Sequence, residues 1–313
     1  MGCAWSGDGS SSFPDKYSTI QGIRDAMRAA NMENSDMIVA IDVTRSNEAA
    51  LGAHTSFEGR DLHDLSVLNP YQRVMRLVGG EVAAVLDKDG TFPVLAFGDA
   101  ASVDHPSRCV LLGDAKGFDE VDRLYRGFLS DPRVVKSGPT SFEGVVRFAI
   151  DQAIRTRRFH TLLIITDGQI NDEKEVPDPK SATKWRRTEP TIEALIEASQ
   201  YPIEVIIVGV GDGPWDAMEA LDDELKAKAK AKKMTYRVDC CQFVPFTRYM
   251  RTTDAAALQA FTVDCLQEVP QLKAWLDEHG MMGPGARTTP IGSEPVEWKP
   301  PAEGAEAVPT APP

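Results

Sequence analysis

The sequence comprises 313 residues, of which 34 are Lys or Arg and 47 are Asp or Glu, so its formal net charge is −13. Such an acidic chain is not expected to bind nucleic acid unless its basic residues gather on one face. Hydrophobic residues make up 42% of the chain, which suits a globular domain. No apolar run reaches the ~18 residues of a membrane span. Five cysteines without a C-x-x-C pair argue against a disulfide scaffold or a RING.

Composition divides the chain into three segments. Residues 1–15 are rich in Gly and Ser, which predicts a flexible arm. Residues 280–313 are dense in Pro, Gly, Ala and Glu without a periodic apolar face, which predicts disorder. Residues 16–279 between them form one continuously patterned region without an internal repeat, and we expect a single domain there.

Strand and helix signals alternate through this region. Short apolar runs predict strands at residues 37–41, 92–97, 109–112, 161–165, 203–210 and 242–245. Apolar stripes at helical spacing predict helices over residues 71–85, 118–128, 142–154, 192–196 and 258–266, the first of them capped by Asn69 and opened by Pro70. Continuous apolar strands separated by amphipathic helices predict an α/β fold. We expect a doubly wound, mostly parallel sheet in a Rossmann-like three-layer arrangement, with helices on both faces.

Polar side chains follow the predicted strands at the edge where such sheets bind ligands. Asp42 ends the first strand, and Thr44 and Ser46 follow on one side of an extended loop because side chains alternate. Asp167 follows a later buried strand, and Thr140 lies in the loop before a helix. Two carboxylates and three hydroxyls suit Mg²⁺, or alternatively Mn²⁺ or Ca²⁺, since these ions prefer oxygen ligands. The alternative is that each residue only caps a strand or a helix.

Six motifs, in the right order, resemble the copine type of von Willebrand factor A (vWA) domain, which occurs in copines and in a plant family of membrane-associated RING ubiquitin ligases. The resemblance covers about residues 18–266. The motifs are residues 41–48, 68–71, 97–100, 137–142, 166–169 and 208–215.

The resemblance implies the vWA fold and a metal-ion-dependent adhesion site. By motif, the first metal loop holds Asp42, Thr44 and Ser46, the second loop holds Thr140, and the third holds Asp167. An Asp or Glu carboxylate from a protein partner would complete the coordination of the metal.

The chain also departs from the family pattern. Only ~35 residues precede the first strand, so we expect neither of the C2 domains that copines carry. A RING needs seven or eight Cys and His ligands, and after Asp254 only Cys265 and His279 remain. Ligase activity is therefore not expected of this chain. Residues 171–190 are longer than the usual connection in the family, and form either a lip on the metal face or a solvated insertion. The lysine-rich residues 226–233 are either a solvated helix or a basic patch for a partner.

The amino terminus matches the N-myristoylation pattern M-G-x-x-x-[ST]. Gly2 would be acylated after removal of Met1, and Cys3 would be palmitoylated, because a single myristoyl chain anchors a protein only marginally. The similar plant ligases also have lipidated termini. The protein is then expected at the cytosolic face of the plasma membrane or an endomembrane, and otherwise in the cytosol. The alternative is an unmodified terminus.

Two functional hypotheses follow. The first is a non-enzymatic, metal-dependent protein-interaction module tethered to a membrane. The second is a substrate-recruiting component of a ubiquitin ligase whose RING lies on another chain. A metal-dependent phosphohydrolase is disfavoured, because no Lys, Arg or His directly adjoins Asp42 or Asp167 in the sequence.

Overall fold

A computed structural model describes residues 13–52, 54–83, 91–177, 185–282 and 294–301 of the chain. The strands are β1 Asp36–Asp42, β2 Thr91–Phe97, β3 Val110–Lys116, β4 His160–Thr166, β5 Lys174–Pro177, β6 Trp185–Thr188, β7 Ile203–Gly209, β8 Cys241–Pro245 and β9 Val296–Glu297. The helices are α1 Ile20–Ala29, α2 Pro70–Ala83, α3 Ala100–Val103, α4 Phe118–Leu129, α5 Glu143–Thr156, α6 Pro190–Ala198, α7 Asp216–Lys232, α8 Ala255–Leu266 and α9 Val269–Glu278.

Seven strands form one sheet in the order β8-β7-β4-β1-β2-β3-β9, and β5 and β6 form a separate hairpin. Strands β8, β7, β4, β1 and β2 run parallel, β3 is antiparallel to β2, and β9 is parallel to β3. One group of helices contains α5, α6 and α7, and a second contains α1, α2, α4, α8 and α9. The two groups cover the two faces of the sheet, so the predicted doubly wound α/β fold is confirmed.

The central strands are apolar along their whole length because helices cover both of their sides. In β1, residues 38–41 have no exposed surface, and in β4 the same holds for residues 162–165. Helix α5 turns its predicted stripe inward, with Val145, Val146 and Ala149 fully buried. The burial of these side chains holds the ends of β1 and β4, which carry the polar loops, at one fixed edge.

Helix α2 begins at the predicted cap. The Asn69 side chain accepts a hydrogen bond from the Gln72 backbone N–H (3.0 Å), and the Gln72 side chain accepts one from the Asn69 N–H (3.2 Å). Such a reciprocal capping box satisfies two free donors at a helix start. It holds Tyr71, in the first turn, beneath the polar edge of the sheet. Val85 of the predicted stripe lies outside the described residues.

Several elements differ from the prediction. Strand β3 extends beyond residues 109–112 to Lys116 and is antiparallel, while α1 and α9 have no counterpart among the predicted elements. Residues 13–15 of the expected flexible arm adjoin the domain, where the Pro14 carbonyl accepts a hydrogen bond from Gln271 of α9. Among the residues that the structure describes, no helix is long and apolar enough to cross a bilayer.

The disorder predicted for residues 280–313 is wrong for residues 294–301. Strand β9 adds to the edge of β3, and Trp298 packs edge-on against Phe128 with ring centroids 5.7 Å apart. The Trp298 indole also donates a hydrogen bond to Asp131 (2.9 Å). A short segment without a periodic apolar face is thus ordered by contacts with α4 and the residues just after it.

Candidate metal centre

The ends of β1 and β4 place two carboxylates side by side. The strands are adjacent and parallel, with Ile41 opposite Ile165, so Asp42 at the end of β1 lies beside Thr166 and Asp167. Asp42 has no exposed surface and Asp167 is 7% exposed. The Thr166 hydroxyl donates a hydrogen bond to one oxygen of Asp42 (2.5 Å). The sequence prediction that these two carboxylates share one edge agrees with this geometry.

The first metal loop folds back over Asp167. The Ser46 hydroxyl donates a hydrogen bond to Asp167 Oδ1 (2.9 Å), and the Thr44 hydroxyl lies 3.5 Å from the same oxygen. The two hydroxyl oxygens are themselves 2.9 Å apart. The Thr44 backbone N–H donates to Asp42 Oδ1 (2.8 Å). The loop therefore gathers both hydroxyls and both carboxylates into one polar cluster.

Thr140 reaches the same point from the second loop. A Cβ placed on Gly168 would lie 3.7 Å from the Thr140 hydroxyl oxygen and 3.9 Å from that of Ser46. Asn171 holds Thr140 in place, because its side chain accepts the Thr140 N–H (2.6 Å) and its own N–H donates to the Thr140 carbonyl (3.1 Å). Thr140 therefore lies beside the cluster that the other four predicted residues form. Asn171 was not predicted as a site residue, although it begins the predicted insertion.

The cluster disfavours the charged forms of its two carboxylates. Burial raises the pKa of Asp42, although hydrogen bonds from Thr166 and Thr44 oppose that shift. Burial, and then the charge of Asp42, raise the pKa of Asp167 to about 8. In the described part of the chain, no Lys, Arg or His forms an ion pair with either carboxylate. The carboxylates therefore lack a compensating positive charge.

The donor set fits a hard divalent cation. The five residues offer only oxygen ligands, two of them carboxylates, which is the chemistry that Mg²⁺ prefers, with waters completing its shell. Within the described ranges, no group of three or more His, Cys, Asp or Glu residues is placed to hold a metal ion. A metal at this edge would therefore depend on the three hydroxyls as well as on Asp42 and Asp167.

A buried polar network supports the first metal loop from below. His63 stacks on Tyr71 with ring centroids 4.2 Å apart, and its Nε2 donates to the Asp42 carbonyl oxygen (2.9 Å). Its Nδ1 then accepts from the Tyr125 hydroxyl (2.8 Å), which itself accepts from Asn69 (3.0 Å). Sequence reasoning missed His63, because its partners are distant in the chain. Its place beneath Asp42 makes it a positioning residue.

We expect His63 to make the protein sensitive to acid. Burial, and then the charge of Lys136, lower the pKa of His63 to about 3, below the ~6.5 of an unfolded chain. Between these values the unfolded state binds the extra proton, so stability is lost as the pH falls from about 6.5 towards 3. His63→Gln should lower the free energy of unfolding at pH 7 by about 1–3 kcal/mol and flatten its decline in acid. Urea unfolding from pH 7 to pH 4 measures both effects.

The exposed His279, at the end of α9, provides the control. His279→Gln should leave the pH dependence of the free energy of unfolding unchanged. If His63→Gln unfolds with the same pH slope as the wild-type protein, the acid sensitivity arises elsewhere.

Sequence comparison decides the family. A profile described as copine matches residues 61–283, which include Thr140 and Asp167. The chain belongs to the copine family. The E3 ubiquitin-protein ligase RGLG5 of Arabidopsis thaliana is 36% identical over 280 residues, covering 87% of this chain and 61% of its own length. Copine family protein 2 of Caenorhabditis elegans is 32% identical over 273 residues, covering 85% of this chain and 3% of its own.

The copine-family chain thus spans about three fifths of the ligase and a small part of the nematode copine. A solved structure, the pilus adhesin SpaC of Lactobacillus rhamnosus GG, aligns over 80% of this chain and 31% of its own, with 10% identity and a TM-score of 0.36. That likeness is too distant to carry an argument. The family membership confirms the resemblance that the six motifs indicated.

Two other predicted features are only partly described. Gly2 and Cys3 lie outside the described residues. Of residues 171–190, the described parts form the β5–β6 hairpin, in which Trp185 is 65% exposed. The root of this segment is tied to the second loop, since Asp172 accepts hydrogen bonds from Ser141 (2.5 Å) and from the Thr191 hydroxyl (2.7 Å).

Proposed function

We propose that this copine-family chain is a metal-dependent protein-interaction module that binds a carboxylate of its partner. The observation that carries the proposal is the buried pair of Asp42 and Asp167, which has no ion-pair partner among the described residues and lies beside hydroxyl groups. Asp42 and Asp167 would supply the negative charge, while Thr44, Ser46 and Thr140 would bind Mg²⁺ directly or through water. When bound, the metal acts as a Lewis acid that attracts an anionic ligand, here an Asp or Glu side chain of the partner.

The same site supports a non-catalytic role. His63 is the ring beneath Asp42, and it is buried and neutral at physiological pH, so it is poorly placed to move protons for a bound substrate. The hydroxyls of Thr44 and Ser46 point at Asp167 and at each other. Among the residues that the structure describes, neither hydroxyl has a basic partner that would activate it as a nucleophile.

Affinity capture with and without Mg²⁺ tests the proposal. Wild-type protein in Mg²⁺ should retain partners that EDTA releases. Thr140→Ala should lose them with a cost of a few kcal/mol in binding, because the truncated ligand leaves the interfacial charges poorly satisfied. Circular dichroism should show an unchanged fold, because the fully buried apolar stripe of α5 carries the packing at this end of the sheet.

Thr91→Ala is the matched control, because Thr91 is exposed at the start of β2, away from the carboxyl edge. It should capture partners as the wild-type protein does. Partners that stay bound through EDTA and through Thr140→Ala would contradict the metal-dependent interface.

We further propose that Gly2 and Cys3 carry the acyl chains that tether the module to the cytosolic face of a membrane. In eukaryotic cells the wild-type protein should sediment with membranes, and Gly2→Ala should be found in the supernatant. Cys3→Ser should bind weakly, since one acyl chain alone is marginal. Ala4→Ser, at a position that the acylation pattern leaves free, should behave as the wild-type protein. Gly2→Ala remaining on membranes would contradict the tether.

A second candidate function is favoured by the names of the relatives. RGLG5 is named an E3 ubiquitin-protein ligase and is 36% identical to this chain, so the module could recruit substrates for ubiquitination by a RING on another chain. The same capture distinguishes the two functions. Recovery of a ubiquitin-conjugating enzyme together with ubiquitinated partners favours the recruiting role, and partners without them favour the independent module.

A further inference from the structure

A cleft of about 510 Å³ opens at the same edge of the sheet. Its lining consists of hydroxyl and charged side chains, with two arginines among them. We call it the arginine cleft, and its lining residues are Thr55, Ser56, Asp212, Thr247, Arg248 and Arg251.

The arginine cleft adjoins the candidate metal centre through Gly211. A Cβ placed on Gly211 would lie 3.9 Å from the Cβ of Asp167. Asp212 is the next residue of the chain, and the Thr247 hydroxyl donates a hydrogen bond to the Gly211 carbonyl (2.6 Å). The cleft therefore begins about one residue spacing (~3.8 Å) beyond the glycine that contacts Asp167.

The carboxylate in the cleft is already satisfied. Asp212 Oδ2 accepts from the Thr55 N–H (2.6 Å) and hydroxyl (2.7 Å), and its Oδ1 accepts from the Ser56 N–H (2.9 Å). Burial alone would raise the pKa of Asp212, but these hydrogen bonds outweigh it and lower the pKa to about 2. Asp212 therefore fixes the loop that forms one wall of the cleft.

The two arginines leave the cleft with an excess of positive charge. Arg251 donates to the backbone carbonyls of Ser56 (2.9 Å) and Thr55, which are neutral acceptors. Arg248 is exposed, and within the described ranges neither arginine forms an ion pair with a carboxylate. Two guanidinium groups against one carboxylate leave a net charge of about +1, on a chain whose overall charge is −13. Arg guanidinium groups bind carboxylates in a bidentate geometry.

We infer that the arginine cleft binds a second acidic side chain of the partner segment whose first carboxylate completes the metal centre. The inference rests on the proposed function and makes it specific: the partner presents an acidic peptide. Since an extended chain rises about 3.3 Å per residue and the two sites are fixed in the fold, its two acidic residues should keep a constant spacing of a few positions. The metal attracts one carboxylate and the arginines select the second.

Selection from a random 12-residue peptide library displayed on phage tests the inference. In Mg²⁺, the wild-type protein should enrich peptides with two acidic residues at a constant spacing, and EDTA should elute them. Arg248→Gln with Arg251→Gln should enrich only the first acidic position. One enriched peptide, made synthetically, should bind this double variant about tenfold more weakly than it binds the wild-type protein.

Single variants keep the test independent of folding. Arg251 holds the loop of Thr55 and Ser56, whereas Arg248 makes no such contact among the described residues, so Arg248→Gln alone should weaken binding without perturbing the fold. Arg76→Gln removes the same charge from an exposed position in α2 and should bind as the wild-type protein does.

The outcomes separate the inference from the proposed function. Enriched peptides with one acidic position, or with two that persist in the arginine variants, overturn the inference while the metal interface stands. Peptides that EDTA fails to elute, or the absence of acidic enrichment, overturn both. Sedimentation with vesicles of phosphatidylserine and phosphatidylcholine should not differ between the wild-type protein and Arg248→Gln. Loss of vesicle binding in that variant, with an unchanged peptide preference, would assign the cleft to lipid headgroups and overturn the inference.

Discussion

Asp167→Asn should make the metal-free protein more stable at pH 8.5 and abolish its stabilisation by Mg²⁺. Burial and the charge of Asp42 raise the pKa of Asp167 to about 8, above the ~3.9 of an unfolded chain. The folded state therefore binds this proton more tightly, and the metal-free protein loses stability as the pH rises from about 4 to about 8. An asparagine removes the buried charge while its oxygen still accepts from Ser46. In EDTA at pH 8.5 we expect the free energy of unfolding to rise by a few kcal/mol, less than the ~5–6 kcal/mol of the full pKa shift, because burying the amide also has a cost.

In Mg²⁺ the wild-type protein should become more stable than Asp167→Asn. A ligand that binds only the folded state stabilises it by about 2.7 kcal/mol at one hundred times its dissociation constant, so the wild-type protein should gain stability and Asp167→Asn should not. Urea unfolding in EDTA and in millimolar Mg²⁺ measures both effects. Asp119→Asn, at an exposed position in the first turn of α4, is the control. A variant that keeps the Mg²⁺ response would place the metal site elsewhere.

The two expected effects of Asp167→Asn, a higher stability in EDTA and the loss of stabilisation by Mg²⁺, have one physical cause. Two buried carboxylates without a cation destabilise the folded state, since burial disfavours their charged forms. The hydrogen bonds that Asp42 accepts from Thr166 and from the Thr44 backbone offset part of this cost. Strain and unfavourable burial of this kind are expected where function requires them. A ligand that binds only the folded state at this site would offset that cost.

Local sequence was enough to predict where the three polar loops of the candidate site lie. Each of the three loops lies at the carboxyl edge of the sheet, and the apolar runs of β1 and β4 determine that edge. Alternation also placed Thr44 and Ser46 beside Asp42, although Ser46 lies in a short 3₁₀ turn, Arg45–Asn47. The turn keeps the Ser46 hydroxyl hydrogen-bonded to Asp167. The predicted side of the loop was therefore right for Ser46, whereas the predicted extended conformation was wrong.

The rest of the site depends on contacts between residues that are distant in the chain. His63 meets Tyr125 across 62 residues, and Asn171 meets Thr140 across 31. No periodicity in the sequence reports such pairs. For the same reason β9 escaped prediction, because its two residues are held by Trp298 on Phe128 and not by a local pattern.

Gly98→Ala should cost the fold more than any exposed substitution and should weaken metal binding as well. Gly98 follows β2 with a φ of +86°, where a side chain is strained. A Cβ there would lie 2.3 Å from Thr44 Cγ2 and 3.1 Å from the Thr44 nitrogen. The Gly98 carbonyl also accepts the Ser137 N–H (2.8 Å), so this glycine lies between the first and second metal loops. We expect a loss of about 3–5 kcal/mol in the free energy of unfolding.

Gly117→Ala separates the collision from the backbone strain. Gly117 has a similar φ of +79°, but nothing lies within 4 Å of a Cβ placed there. Its alanine variant therefore bears the backbone strain alone, about 1–3 kcal/mol. Urea unfolding in EDTA compares the two losses, and repeating it in Mg²⁺ compares the metal responses. Gly117→Ala should keep the full Mg²⁺ stabilisation, because Gly117 precedes α4 and does not touch the loops. Gly98→Ala should lose most of it, since Thr44 must move away from the new methyl group and carries its hydroxyl away from Asp167. Equal losses of stability and equal metal responses would mean that the loops adjust freely around position 98.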